Sequence, residues 1–173
     1  SRRQRQMCIR DSIWYFREFG GEERPMNLDV YVDSDWAGST DRKSTSGGMV
    51  CVSGAAIKHW RRSQKARALS SGEAEYYAIV TGSAEGLGMQ SLAIDLGWKF
   101  QVVVHTDSST AKSVAGRRGL GRMRHVELKY LWVQEVVSKG RIRMKKIPGL
   151  QHPADVLTTV SYTHLRAHET NVD

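Results

Sequence analysis

The sequence has few cysteines and no long apolar stretch. Its two cysteines, Cys8 and Cys51, show neither a CxxC pair nor the Cys/His spacing of a zinc site, so a disulfide framework is excluded and a reducing compartment is indicated. No apolar run approaches the roughly 18 residues that a membrane-spanning helix requires, and a membrane protein is not expected. What remains is a 173-residue chain with 40% hydrophobic and 25% charged residues, which is ordinary for one folded domain.

Acidic residues are scarce where basic residues are dense. Lys and Arg total 26 against 18 Asp and Glu, which gives a formal net charge of +8. Between residues 112 and 146, eleven Lys or Arg accompany only Glu127 and Glu135. Charge clustered in this way favours a polyanionic partner, whereas a solvated surface would mix the two signs. We therefore expect a nucleic acid as the partner.

The two ends of the chain differ from its middle. Residues 1–12 (SRRQRQMCIRDS) and 161–173 (SYTHLRAHETNVD) have no helical or strand period and resemble peptides translated from sequencing-adapter DNA. We expect a non-native leader at 1–12, a connector at 13–27, one domain at 28–160 and a non-native tail at 161–173. The basic run at the start has no apolar core behind it, so we do not expect it to act as a secretion signal.

Apolar and polar residues alternate in segments that predict five strands. Residues 28–35 place apolar side chains on one face and Asp33 and Asp35 on the other. Residues 38–48 have a loop composition, and residues 49–52 and 56–60 predict two strands joined through Ser53 and Gly54. Two more strands are expected at 101–106, ending just before Asp107, and at 142–147.

Helices are predicted in the gaps between the later strands. Ser70 and Glu73 form a capping box that starts a helix, and its glycines suggest a break into two helices before Gly97. Further helices are expected from Ser108, over 125–139 with Gly140 ending it, and over 153–159. The order βββαβαβα predicts a mixed α/β fold, with a five-stranded mixed sheet flanked by helices.

Four carboxylates stand where predicted elements begin or end. Hydrolysis of a phosphodiester by two Mg²⁺ ions needs several hard oxygen ligands, and convergent carboxylates without a cation would repel one another. A single strand-end Asp is more often a turn or cap residue, and the capping box already accounts for Glu73. The candidates for a joint metal site are Asp33, Glu75, Asp107 and Asp155.

Consecutive motifs give the chain a resemblance to a known family. They are DSDWAG at 33–38, DRKSTSG at 41–47, ALSSGEAEY at 68–76, RHV at 124–126 and PADVLT at 153–158. In this order they resemble the ribonuclease H domain of copia-type LTR retrotransposon polyproteins, over about residues 28–159. The resemblance implies a ribonuclease-H-like fold and cleavage of the RNA strand of an RNA/DNA hybrid with two Mg²⁺ ions, for which Mn²⁺ can substitute.

The resemblance also implies a role for each acid. Asp33 would bridge both ions, with Glu75 and Asp107 on one ion and Asp155 on the other. Asp35 is an auxiliary candidate behind this set. The family usually continues ADxLTK, whereas this chain has Thr159 and then its divergent tail, so we expect a truncated last helix.

Further residues are candidates for substrate contact. Short hydroxyl side chains suit the 2′-hydroxyls of a hybrid and basic ones its phosphates, although a turn or cap role is equally open for the serines. The candidates are Ser34, Ser108, Arg122, Arg124, His125 and Lys129. His152 lies three residues before Asp155 and is either an ordinary loop residue or a group that assists product release.

The expected context is retrotransposon reverse transcription. The resemblance implies a partner reverse transcriptase domain in the same polyprotein and an intracellular location, in a cytoplasmic virus-like particle or in the nucleus. Two alternatives stay open at this point. One is a catalytically inactive nucleic-acid-binding or tethering module, and the other is a DNA-directed or integrase-like nuclease on the same fold.

Overall fold

A computed structural model describes residues 26–38, 42–119, 121 and 126–158. The expected leader and tail, and the connector up to residue 25, lie outside these ranges. The strands are β1 (Met26–Asp35), β2 (Thr45–Val52), β3 (Ala55–Ser63), β4 (Phe100–Thr106) and β5 (Ile142–Lys146). The helices are α1 (Ser71–Asp95), α2 (Ser109–Gly116), α3 (Trp132–Ser138) and α4 (Asp155–Thr158), with 3-10 turns at Leu128–Tyr130 and Gly149–Gln151.

The five strands form one mixed sheet in the order β3-β2-β1-β4-β5. The first three make an antiparallel meander, while β4 pairs parallel with β1 and β5 parallel with β4. Leu28, Val30 and Val32 are buried on the side of the sheet that faces α1, as their alternation predicts. The predicted mixed α/β fold with a five-stranded sheet and flanking helices is therefore confirmed.

The hairpin between β2 and β3 follows the prediction, but β2 begins earlier. Ser53 and Gly54 both have positive φ, at 50° and 82°, as a two-residue type I′ turn requires. Residues 45–48 were expected in a loop, and this was wrong, because each pairs with β1 from Asp35 back to Val32. The glycines in this strand leave room for neighbours, since a Cβ at Gly48 would overlap the ring of Trp60.

Helix α1 is continuous, so the expected break before Gly97 is wrong. Ser70 caps its N-terminus by accepting from the Glu73 backbone N–H at 3.3 Å, which confirms the predicted start. Gly82 faces the sheet, and a Cβ there would come within 2.2 Å of Val32 Cγ1. A Cβ at Gly86 would likewise lie 2.9 Å from the side chains of Val30 and Val102. These glycines allow the helix to approach the sheet closely, and the packing offsets their weak helix propensity.

Helix α3 is shorter than the predicted 125–139 segment. Among residues 126–139, which the structure describes, only Trp132–Ser138 is α-helical, and a 3-10 turn precedes it. The Tyr130 carbonyl accepts from the Tyr76 hydroxyl at 2.9 Å, while the Gln134 N–H bonds to the Leu131 carbonyl. Because the Tyr130 carbonyl binds a side chain and Gln134 bonds three residues back, the α-helical hydrogen-bond pattern is interrupted here. Gly140 ends the helix as predicted, with φ 71° and its N–H on the Val137 carbonyl.

Within the described ranges, no helix has both the length and the apolar character needed to cross a bilayer.

Candidate metal centre

Three carboxylates converge at one edge of the sheet. Asp33 lies near the end of β1, and Asp107 directly follows β4, which runs parallel to β1. The carboxyl ends of parallel neighbours meet at the same edge, and α1 begins there with Glu75 in its early turns. One oxygen from each of Asp33, Glu75 and Asp107 lies within 4.8 Å of the other two. Such an oxygen cluster has the chemistry that Mg²⁺ or Mn²⁺ prefers.

Local hydrogen bonds orient the residues around Asp107. The Thr106 hydroxyl accepts from the Ser108 backbone N–H at 3.1 Å, and the Ser108 hydroxyl in turn accepts from the Ala111 N–H at 3.2 Å. Ser108 therefore caps α2, the alternative left open for it from the sequence. Asp107 sits between the strand and this cap, so its backbone is held on both sides.

Glu75 has the most perturbed environment of the acidic cluster. Its Oε1 accepts from the Ser34 hydroxyl at 3.0 Å, and its Oε2 is buried with no hydrogen-bond partner in the described part of the chain. Burial, followed by the charges of Asp33 and Asp107, raises the pKa of Glu75 to about 8, and the Ser34 hydrogen bond opposes this. An unpartnered carboxylate oxygen facing two further acids fits a site that a cation completes.

Asp155 approaches this cluster from α4 without belonging to the tight group of three. Burial and the charges of Asp33 and Asp107 raise its pKa, while His152 lowers it. Its Oδ1 lies 3.7 Å from Nδ1 of His152. Asp155 is therefore close enough for the charges of Asp33 and Asp107 to raise its pKa, but it lies outside the group of three acids.

His152 is a buried residue of the turn before α4. Its Nδ1 accepts from the Ala154 backbone N–H at 3.2 Å, and its ring packs edge-on against Tyr31, with centroids 6.2 Å apart. Its Nε2 is buried without a hydrogen-bond partner among the described side chains and backbone. These contacts stabilise the turn that leads to Asp155. The role of His152 in product release stays a prediction.

The other predicted site residues lie in different settings. Asp35 folds over Gly38, where an added Cβ would overlap its carboxylate, and it is not one of the three clustered acids. Lys129 is exposed and pairs with Glu127 at 2.7 Å. Arg122, Arg124 and His125 lie outside the described residues.

Two features of the site were missed in the sequence. Thr158, on α4, donates its hydroxyl to Oδ2 of Asp33, a contact that no local pattern indicates. The second feature is a basic edge formed by β3 and the loop after it. Residues 55–70 contain five Lys or Arg, at 58, 61, 62, 65 and 67, and no Asp or Glu. A charge count along the chain would have found it.

Comparison with solved structures identifies the fold. LC11-RNase H1, solved in complex with an RNA/DNA hybrid, has a TM-score of 0.52 at 16% identity, over 76% of this chain and 93% of that one. The RNase H domain of PFV has a TM-score of 0.52 at 14% identity, over 78% and 91%. This chain has the ribonuclease H fold.

Comparison of sequences connects this ribonuclease-H-like domain with retrotransposons. It is 35% identical over 145 residues to the retrovirus-related Pol polyprotein from transposon TNT 1-94 of Nicotiana tabacum, covering 82% of the chain and 11% of the relative. The polyprotein from transposon RE2 of Arabidopsis thaliana is 31% identical over 137 residues, with 77% and 9% covered. The chain thus spans about a tenth of the length of these relatives. No protein-family model matches. The resemblance to a retrotransposon ribonuclease H domain is confirmed.

Proposed function

We propose that this domain hydrolyses the RNA strand of an RNA/DNA hybrid, as one part of the Pol polyprotein of a copia-type retrotransposon. The observation that carries the proposal is the convergence of Asp33, Glu75 and Asp107, with Asp155 beside them, at one edge of a ribonuclease H fold. The neighbouring reverse transcriptase domain of such a polyprotein would be its partner.

The residues fit a pair of divalent cations. Asp33, Glu75, Asp107 and Asp155 would hold them. Bound Mg²⁺ ions supply activation of the attacking water and stabilisation of the leaving oxygen. Glu75 must release its proton on loading, because its pKa of about 8 keeps it protonated at neutral pH in the metal-free protein. The Ser34 hydroxyl holds one Glu75 oxygen in place, so we assign Ser34 first to orienting this acid.

The basic edge supports binding of the hybrid next to the acids. Lys58 and Arg62 lie towards α1 and share Glu85 as an ion-pair partner, at 2.5 and 3.1 Å. Arg61 lies on the other face, in register with Gly47, which is itself in register with Asp33. At strand spacings of about 4.8 Å this places the Arg61 backbone roughly 10 Å from that of Asp33, a distance suited to a neighbouring phosphate.

The loop after β3 extends this edge towards the acids. The Trp36 indole N–H donates to the Ala68 carbonyl at 3.2 Å, which joins this loop to the segment that follows β1. Lys65 and Arg67 in the loop are exposed, and no carboxylate of the described residues pairs with them. Trp36 is 49% exposed and offers a ring for stacking beside them. Phosphate contacts of this kind position a nucleic acid without reading its sequence.

Cleavage of a labelled RNA/DNA hybrid by the 173-residue chain in Mg²⁺ tests the catalytic proposal. We expect Asp33→Asn and Asp107→Asn each to reduce the rate at least about a hundredfold, because each removes a charged ligand. Asp95→Asn, on the exposed last turn of α1, is the matched control and should cleave at the wild-type rate. Unchanged cleavage in both site variants would refute the assignment. Binding without cleavage by the wild type would favour the inactive module, and equal cleavage of duplex DNA would favour the DNA-directed nuclease.

The basic edge is tested separately by the salt dependence of hybrid binding in Ca²⁺. Replacing Arg61, Lys65 and Arg67 together by Gln should weaken binding and reduce the slope of log affinity against log salt concentration by about 0.9 for each phosphate that these side chains no longer neutralise. The comparison variant removes the same charge from the opposite edge of the sheet, through Gln at Arg141, Arg143 and Lys145, which belong to the basic run at residues 112–146. A larger loss of affinity in this variant would place the hybrid on that run instead of the β3 edge. An equal loss of affinity in both triple variants would indicate that total charge, and not the β3 edge, controls binding.

A further inference from the structure

The last helix is connected to the acidic cluster through one hydroxyl group. Thr158 is the last residue of α4 that the structure describes, and it is 2% exposed. Its Oγ1 donates to Oδ2 of Asp33 and also lies 3.2 Å from the Asp155 carbonyl oxygen. A threonine hydroxyl has a single proton, and a carboxylate is a stronger acceptor than a carbonyl. The hydroxyl therefore serves Asp33 and restricts the orientation of that carboxylate.

Helix α4 packs against the backbone of β2 next to this hydrogen bond. Gly47 is the register partner of Asp33. A Cβ at Gly47 would lie 2.7 Å from Cγ2 of Thr158 and 3.0 Å from Cβ of Leu157, so the absence of a side chain lets α4 approach the strand. The Thr158 methyl fills this space while its hydroxyl reaches Asp33. Asp155 is on the same short helix, so the docking that places Thr158 also places Asp155.

We propose that Thr158 is a positioning residue for the metal site, which orients Asp33 and links that orientation to the docking of the helix that carries Asp155. The inference rests on the proposed function, since it assumes that Asp33 is a ligand of divalent cations. Groups that hydrogen-bond to metal ligands reduce the ligands' freedom before the ion arrives, and their loss weakens metal binding although they never touch the ion. Packing of the Thr158 methyl alone would not have this effect.

Two pairs of substitutions separate the hydroxyl from the methyl. Thr158→Val keeps the shape and removes the hydroxyl, whereas Thr158→Ser keeps the hydroxyl and removes the methyl. Thr158→Ala differs from Thr158→Ser only in the hydroxyl, so this second pair gives the same comparison if Thr158→Val does not fold. Thr81→Val is the matched control, because the Thr81 hydroxyl bonds to the Tyr77 carbonyl at 3.0 Å within α1, away from the acids.

The primary measurement is the affinity of the full 173-residue chain for Mn²⁺ without substrate, by calorimetry, with the unfolding midpoint in EDTA alongside. We expect Thr158→Val to weaken Mn²⁺ binding about tenfold and Thr158→Ser to stay within about twofold of the wild type. Thr158→Ser should instead lower the unfolding midpoint, because it loses the buried methyl. The Mg²⁺ concentration that half-saturates hybrid cleavage should follow the Mn²⁺ affinities.

The possible results distinguish this inference from the proposed function. Wild-type Mn²⁺ affinity in Thr158→Val, or equal weakening in the Val and Ser variants, would overturn the positioning role. In the second pair, wild-type Mn²⁺ affinity in Thr158→Ala, or equal weakening in the Ala and Ser variants, would overturn it as well. A wild-type chain that binds Mn²⁺ but does not cleave the hybrid would refute the proposed function, while the affinities would still decide the role of Thr158. A wild type that binds no Mn²⁺ would refute both.

Discussion

Replacing Glu75 by glutamine is expected to stabilise the metal-free protein at neutral pH. Burial, Asp33 and Asp107 raise the pKa of Glu75 to about 8 from an ordinary value of 4.5. Because the pKa of Glu75 is higher in the folded protein than in the unfolded chain, the stabilisation that comes with the protonated carboxyl is fully present below about pH 4.5. It is lost as the pH rises towards 8. Glutamine resembles the protonated acid and undergoes no such loss.

The size of the effect follows from the pKa shift. Each pH unit between the unfolded and the native pKa costs the wild type about 1.4 kcal/mol of unfolding free energy. Because Glu75 is not completely buried, some of this penalty is relieved by solvent. We therefore expect Glu75→Gln to be more stable than the wild type by about 2–3 kcal/mol at pH 7 and by little at pH 5.

The assay is urea unfolding, followed by tryptophan fluorescence, at intervals from pH 5 to pH 8 in EDTA. Glu135→Gln is the matched control, since Glu135 is exposed and Lys139 lowers its pKa instead. Mg²⁺ should reverse the order at pH 7, because the ion binds only the ionised acid and stabilises the wild type more than the variant. A stability difference between Glu75→Gln and the wild type that does not change with pH in EDTA would refute this reasoning.

Two further predictions concern packing away from the acids. Gly82→Ala should lower the unfolding free energy by about 1–3 kcal/mol, because the new Cβ would overlap the side chain of Val32. Gly88→Ala should raise the unfolding free energy by about 0.5–1 kcal/mol, since no atom lies within 4 Å of the new Cβ. Urea unfolding of both variants checks this, and stabilisation by both would contradict it. Gln134→Ala should cost about 2–3 kcal/mol by the same measurement and increase amide exchange at Gly119. Gln134 bonds to the Val114 carbonyl and to both backbone groups of Gly119, so unchanged exchange there would show that this clamp is dispensable.

Much of the fold follows from patterns within a few residues. The alternation in β1, the Ser70 cap of α1, the Ser53 and Gly54 turn and the end of α3 at Gly140 are each visible in a short window of sequence. The predicted bounds were wrong where distant contacts decided the outcome. Residues 45–48 join the sheet through pairing with β1, and α1 stays continuous because the sheet fills the space beside Gly82.

The sequence alone determined the order of the elements and named four acids as candidates for a metal site, since local propensity, capping and motif order depend on neighbours along the chain. The tertiary structure decided what surrounds those acids. Ser34 reaches Glu75 across 41 residues and Thr158 reaches Asp33 across 125. Desolvation and Coulomb interactions depend on distances in space, so the raised pKa of Glu75 and the contact of α4 with Asp33 became visible only when the chain was folded.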